Sequence, residues 1–229
     1  MSQNTVPAKS ARIKKMVTLA MLAAVTYVVM LLCKNIPPVA GFLQLEVKET
    51  IICIGGFIYG PLSAAVISIV VAVVEFFTVS DTGPIGLVMN LLATASFCCT
   101  ASYIYKKMHS RRGAVIGLAV ATLVLTAVML LWNYLITPLY MVGVTREAVA
   151  KMLPTVFLPF NLVKGALNMA ATLIIYKPVV TGLRKANLVP PSHDVHAAPK
   201  KLNIGFWLFA LALLATAVVT ALVLMGIIK

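Results

Sequence analysis

The chain has 229 residues, 61% of them hydrophobic and 11% charged, with a mean hydropathy of +1.01. Soluble domains carry about 25% charged residues, so a soluble enzymatic module is excluded. The formal charge of +13 does not mark a nucleic-acid binder, since no basic face interleaves with aromatics; in so apolar a chain it reads as the basic bias of cytoplasmic loops in a membrane protein.

Apolar runs of about 20 residues, the length that spans a bilayer, predict an all-α integral membrane protein. Residues 1–15 form a basic cytoplasmic lead with Lys9, Arg12, Lys14 and Lys15. The first apolar segment, 16–33, lacks a small-residue cleavage site and reads as a retained helix, not a signal peptide. A loop follows from Lys34 to Glu49, where Pro37, Pro38 and Gly41 forbid continuous helix. Segment two, 47–59, is short and ends at the turn signal Gly60-Pro61; segment three covers 62–79. Segments four (84–106), five (114–141, with a break at Pro138) and six (155–178) complete a membrane domain over 16–185. A polar linker, 186–203, leads to a seventh apolar segment within 204–229, which has no ionisable residue between Phe206 and Ile228.

With the N-terminus in the cytoplasm, thirteen Lys and Arg fall inside and five outside, and Lys164 falls within the membrane. That asymmetry predicts a multi-pass cell-membrane protein with its N-terminus inside. The acids distribute the other way: Glu46, Glu49, Glu75, Asp81 and Glu147 lie on or near the outer side, and Asp194 inside.

Segment six carries Asn161, Lys164 and Asn168 at i, i+3, i+7, one face of a helix. At ~1.5 Å per residue, Lys164 lies roughly 10–15 Å below the outer end. Asn133 on segment five, Glu75 on segment three, Asn90 on segment four and Glu49 at the start of segment two reach a similar depth. Ionisable groups in a membrane face a bundle interior or a cavity, so the convergence predicts an outward-opening pocket. Trp132, Tyr134, Phe157, Phe160, Phe42 and Tyr140 would supply aromatic walls suited to a flat, polar-edged heterocycle.

Each residue also has a structural reading. Lys164 would snorkel, Asn161 and Asn168 would tie helices together, Asn133 precedes Tyr134 and the Pro138 break, Glu49 would favour a helix start, and Glu75 would pair with Lys48 or Lys164. Cys33, Cys53, Cys98 and Cys99 lack zinc-site spacing and read as buried hydrophobes. His193 and His196 resemble half a metal site without a third ligand, so no metal and no cofactor is expected. No P-loop, HExxH, GxSxG or transporter-type inverted repeat is present. Two competing readings remain: a self-sufficient secondary transporter with Glu75 or Lys164 carrying a proton, and an intramembrane lipid enzyme using Glu49 and Lys164 as acid and base.

Four stretches carry a resemblance over residues 12–185: KKMVTLAMLAAVTYVVM; GFLQLEVKET with GGFIYGPLSAA; GPIGLVMNLLATASF; and WNYLITPLY followed by LPFNLVKGALN. With these the chain resembles the riboflavin-binding S components of energy-coupling factor (ECF) vitamin transporters. The resemblance implies a six-helix S-component bundle, to which the seventh apolar helix is an addition. It implies capture of riboflavin, or a close flavin such as FMN, from outside. Asn133 would hydrogen-bond the ligand, Asn161 and Lys164 would meet the polar edge of the isoalloxazine, and Glu49 would assist. The loop around Phe42 and Leu45 would close over it. The implied partners are a transmembrane coupling subunit and two ATP-binding subunits, docked on an A-x-x-x-A face of the first helix, Ala20 and Ala24. Small-xxx-small spacing recurs at Gly56/Gly60, Gly113/Gly117 and Ala166/Ala170, so spacing alone does not single that face out.

Overall fold

The computed structural model describes residues 8–80, 83–140, 143–189 and 204–228. Asp81, His193, Asp194, His196 and the linker beyond residue 189 lie outside the described residues, as does the side chain of Tyr140. The described chain is helical: α1 (Ala8–Cys33), α2 (Lys48–Tyr59), α3 (Pro61–Thr78), α4 (Gly83–Met108), α5 (Arg111–Tyr140), α6 (Arg146–Met152), a π-helical turn (Leu153–Phe157), α7 (Leu158–Lys185) and α8 (Ile204–Leu224).

Among the described residues, six stretches are long and apolar enough to cross a membrane: Ser10–Cys33, Pro61–Thr78, Gly83–Met108, Arg111–Leu139, Arg146–Lys185 and Ile204–Leu224. The second predicted segment is the exception. With 12 residues, α2 reaches about 18 Å at ~1.5 Å per residue, short of the ~30 Å hydrocarbon core. It is instead the buried centre of the bundle, packed against α1, α3, α4 and α7, with Lys48 to Phe57 all buried.

Three predicted boundaries differ, each for a local reason. α1 begins at Ala8, since the Lys, Arg and Ala of the basic lead are good helix formers. Pro138 does not end α5: it lies in the last turn, where it costs one backbone bond, and the helix runs on to Tyr140. Segment six starts earlier, at α6, whose Thr145 cap accepts from the Ala148 N–H at 3.2 Å. The π-turn follows, with Leu158 N–H reaching Leu153 O. An α-turn there would drive the Pro159 ring against the Thr155 carbonyl, and the wider turn relieves that clash.

The main core joins α1 to α5, α7 and α8, around Ile52, Ile67, Phe97, Leu118 and Leu125. Buried hydroxyls bond back within their helices, as Thr26 to Leu22 O at 2.7 Å and Ser68 to Ala64 O at 2.8 Å. Away from the loop that joins α1 to α2, the Leu188 carbonyl beyond α7 accepts from Thr18 Oγ1 of α1 at 3.3 Å and Tyr59 Oη of α2 at 3.1 Å.

Candidate ligand-binding cavity

The loop between α1 and α2 folds into a tight knuckle. Val39 and Leu43 exchange both backbone hydrogen bonds, at 2.8 and 3.0 Å. Ala40 and Gly41 between them take positive φ, 52° and 82°, the mirror-turn geometry that glycine tolerates best. Below the knuckle lies a cavity of about 450 Å³, within the range of small-molecule sites.

Pro38, Gly41, Phe42, Leu43 and Gln44 of the knuckle line one side, with Lys34 and Ser80 nearby. The helices contribute Glu75 from α3, Met89, Asn90 and Ala93 from α4, Met129 and Asn133 from α5, and Phe160, Asn161 and Lys164 from α7. Thus Asn161, Lys164, Asn133, Asn90, Glu75 and Phe42 meet at one cavity. Gly165 lets α7 approach α5 closely enough for this: a Cβ there would lie 2.5 Å from Thr122 Cγ2.

Beneath the cavity five buried charges form one network. Lys48 Nζ lies 2.8 Å from Glu75 Oε2 and 3.0 Å from Glu46 Oε2. Lys164 Nζ lies 3.1 Å from Glu49 Oε1 and 3.5 Å from Glu46 Oε2. Asn90 Nδ2 donates to Glu75 Oε1 at 3.0 Å, so both oxygens of Glu75 are engaged. Three carboxylates against two ammonium groups leave the network formally one charge negative. Burial by itself raises the Glu46 carboxyl, but the Lys48 and Lys164 ammonium groups outweigh it and hold it below its ordinary 4.5. Both oxygens of Glu49 lack a hydrogen-bond partner among the described residues, so charge alone holds this carboxylate.

The amides divide into two kinds. Asn161 donates one N–H to Phe157 O at 2.8 Å, which leaves its oxygen and second N–H to the cavity. Asn133 donates to Met129 O at 2.7 Å and accepts from Thr137 Oγ1 at 3.0 Å, keeping one N–H and one lone pair. Asn168 instead clamps α7 to the start of α2: it accepts from Thr50 N at 3.1 Å and donates to Glu46 O at 2.8 Å and Lys164 O at 3.0 Å. It lies behind the cavity, as does Glu49, which touches Lys164.

Two other expected contacts fall elsewhere. Leu45 is buried in a separate apolar cluster with Val39, Phe160, Val163 and Ala221. Tyr134 points out of the bundle, with the Arg146 guanidinium 5.7 Å from its ring centre; next to inward-facing Asn133, helical geometry turns it away by about 100°. Of the other aromatics, Phe160 lines the cavity, Phe157 packs edge-on to Phe42 with ring centres 6.0 Å apart, and Trp132 joins the main core.

Sequence reasoning offered Lys48 as a partner for Glu75, and the structure forms that pair at 2.8 Å; it counted Glu46 only among the outer-side acids and missed that both charges belong to the buried network. The signal was the run Glu46-Val47-Lys48-Glu49 entering an apolar helix with no polar face to receive it. On α1, Ala20 and Ala24 are both exposed, one turn apart on an open face.

Comparison with known proteins agrees with this architecture. The family model described as ECF transporter, substrate-specific component, matches residues 14–176. The riboflavin transporter RibU of Staphylococcus aureus (strain TCH60) is 29% identical over 178 residues, covering 75% of this chain and 93% of the relative. The riboflavin transporter FmnP of Bacillus subtilis (strain 168) is 27% identical over 188 residues, covering 77% and 99%. A solved S component of a bacterial ECF transporter superposes with a TM-score of 0.63 at 29% identity, covering 76% of this chain and 99% of that one. α8 lies past the matched region.

Proposed function

The chain belongs to the ECF transporter substrate-specific components, and from that premise we propose that it captures riboflavin at the outer face of the cell membrane and delivers it inward with an ATP-driven ECF module. Membership makes it a multi-pass transporter component, not an enzyme. The ligand is inferred from its similarity to two riboflavin transporters together with the cavity chemistry. The observation that carries the reading is the meeting of Asn161, Lys164 and Asn133 under an aromatic knuckle.

An isoalloxazine ring has a flat apolar body and an edge that alternates carbonyl acceptors with an N–H donor. The free amide groups of Asn161 and Asn133 supply both donors and acceptors, and the Lys164 ammonium supplies a cation for a carbonyl oxygen. Phe42 and Phe160 offer faces for the ring. Glu49 acts through Lys164, and Asn168 through the Glu46 backbone and Lys164. The formally negative network suits the uncharged vitamin; the phosphate of FMN would have to draw on Lys34 at the lining, which donates to Val79 O, because Lys48 and Lys164 are held by carboxylates.

The basic asymmetry supports an N-terminus in the cytoplasm, which turns the knuckle outward. Docking on a transmembrane coupling subunit with two ATP-binding subunits would use the exposed small-residue face of Ala20 and Ala24, where backbones approach closely. A self-sufficient proton-coupled cycle is not favoured, because Glu75 is bonded at both oxygens and Lys164 is flanked by two carboxylates.

The test is a fluorescence titration of the purified chain with riboflavin and FMN, with Lys164→Ala and Asn161→Ala beside it. Tight quenching by riboflavin, weakened at least about tenfold by each substitution, is the expected result. Folded protein that quenches with neither flavin overturns the reading.

A further inference from the structure

The helix beyond the family match reaches the cavity roof. α8 packs along α7, through a buried face of small residues, Ala210, Ala217 and Ala221. Ala210 belongs to the main core with Leu173 of α7, while Ala221 belongs to the cluster holding Phe160 and Val163 of α7. The two helices are therefore antiparallel, and the C-terminal end of α8 arrives at the knuckle end of the bundle. There Val39, Leu45, Phe160, Val163 and Ala221 form one apolar cluster, with Leu43, Leu224 and Met225 packed against it.

The knuckle thus has two sides. Its Phe42 and Leu43 line the cavity, while Val39 and Leu43 join the cluster that α8 completes. Val39 is 2% exposed although it sits in a short loop with two consecutive positive-φ residues. Its backbone bonds, between Val39 and Leu43 and from Phe42 to Val39, are internal and fix its shape; its seat on the bundle rests on Gln44 Nε2, which donates to Cys33 O at 2.7 Å and Ile36 O at 2.9 Å, and on the apolar surface behind it.

We propose that α8 is a brace for the knuckle: Ala221, Leu224 and Met225 hold Val39 and Leu43 in the closed position and so slow release of the bound ligand. These are positioning residues, with no contact to the cavity. The consequence for ligand release rests on the riboflavin reading; the brace itself does not.

The experiment uses the full chain carrying Leu224→Ala with Met225→Ala. Leu208→Ala serves as control, at an exposed site near the other end of α8. Hydrogen exchange is read at the Val39 and Leu43 amides of the empty protein, and riboflavin dissociation by stopped flow. The double variant is expected to exchange about tenfold faster at those two amides, as loss of half-buried apolar contacts implies. Dissociation should quicken by a similar factor, with association and the exchange of α3 and α4 unchanged; the control should match wild type. Unchanged exchange at Val39 and Leu43, or a rise spread evenly over α3 and α4, overturns the brace. Failure of wild type to bind riboflavin overturns the ligand reading instead, and the exchange data still decide the brace.

Discussion

Lys48 Nζ lies 2.8 Å from Glu75 Oε2, which ties the first residue of α2 to α3 directly under the cavity. The same ammonium is 3.0 Å from Glu46, and its side chain is 3% exposed. Removing it strands the Glu75 carboxylate and leaves Glu46 with only Lys164, 3.5 Å away. Lys48→Met is expected to cost about 3–5 kcal/mol of stability. Adding Glu75→Gln should recover part of that loss, because one stranded charge disappears. Thermal unfolding in detergent checks both; equal losses in the single and double variants would show that packing, not charge, fixes this position.

Gly165 is adjacent to Lys164, and an added Cβ would meet Thr122 Cγ2 at 2.5 Å and Oγ1 at 2.8 Å. Gly165→Ala should push α7 from α5, cost about 1–3 kcal/mol and weaken riboflavin binding by displacing Lys164. Combining it with Thr122→Ala removes those two nearest atoms and should restore much of both. Binding titrations on the single and double variants decide it.

The Glu46 carboxyl is held below its ordinary 4.5 by Lys48 and Lys164. A group with a lowered folded-state pKa contributes stability that is present above the unfolded value and is lost as pH falls through the folded one. Stability and riboflavin affinity should therefore be level between about pH 5 and 8 and fall only in stronger acid. Glu46→Gln should flatten that acid limb. A titration step near neutral pH would contradict the assignment.

Gly41 has φ of 82° and open space where a Cβ would go. Gly41→Ala is thus strained by backbone alone, by about 1–2 kcal/mol. The effect should appear as weaker riboflavin binding with little change in bundle unfolding, because the knuckle opens before the helices do. A matching drop in unfolding temperature would place the knuckle in the cooperative core.

The helices were legible because long apolar runs have one solution in a bilayer, and their polar interruptions marked the cavity: Lys164 and Asn161 cannot face lipid. Less legible was the partition of amides. Asn168 and Asn161 share a helix face, yet one clamps Thr50 and the other opens to the cavity, a difference set by which neighbour lies opposite. The pairing of Lys48 with Glu75 was readable, but its burial and its bond to Glu46 were not, because a charge at a helix start ordinarily meets water. The shortness of α2 was visible, but its burial follows from four helices surrounding it. The contact of α8 with the knuckle joins residues some 180 positions apart, and no local pattern announces it.

The π-turn at Leu153–Phe157 has a consequence for how this segment tolerates insertions and deletions. A π-turn holds one residue more than the α-turn it replaces. The wider turn takes up that residue within itself, so α6 and α7 keep the facing that an uninterrupted helix would give them, with Arg146 and Lys151 on one side of it and Asn161 and Lys164 on the other. Losing one residue there would leave that facing unchanged and instead press the Pro159 ring against the carbonyl one α-turn back. The turn works as an expansion joint, at which the length of the segment can change by a codon without twisting the rim of the site against its floor.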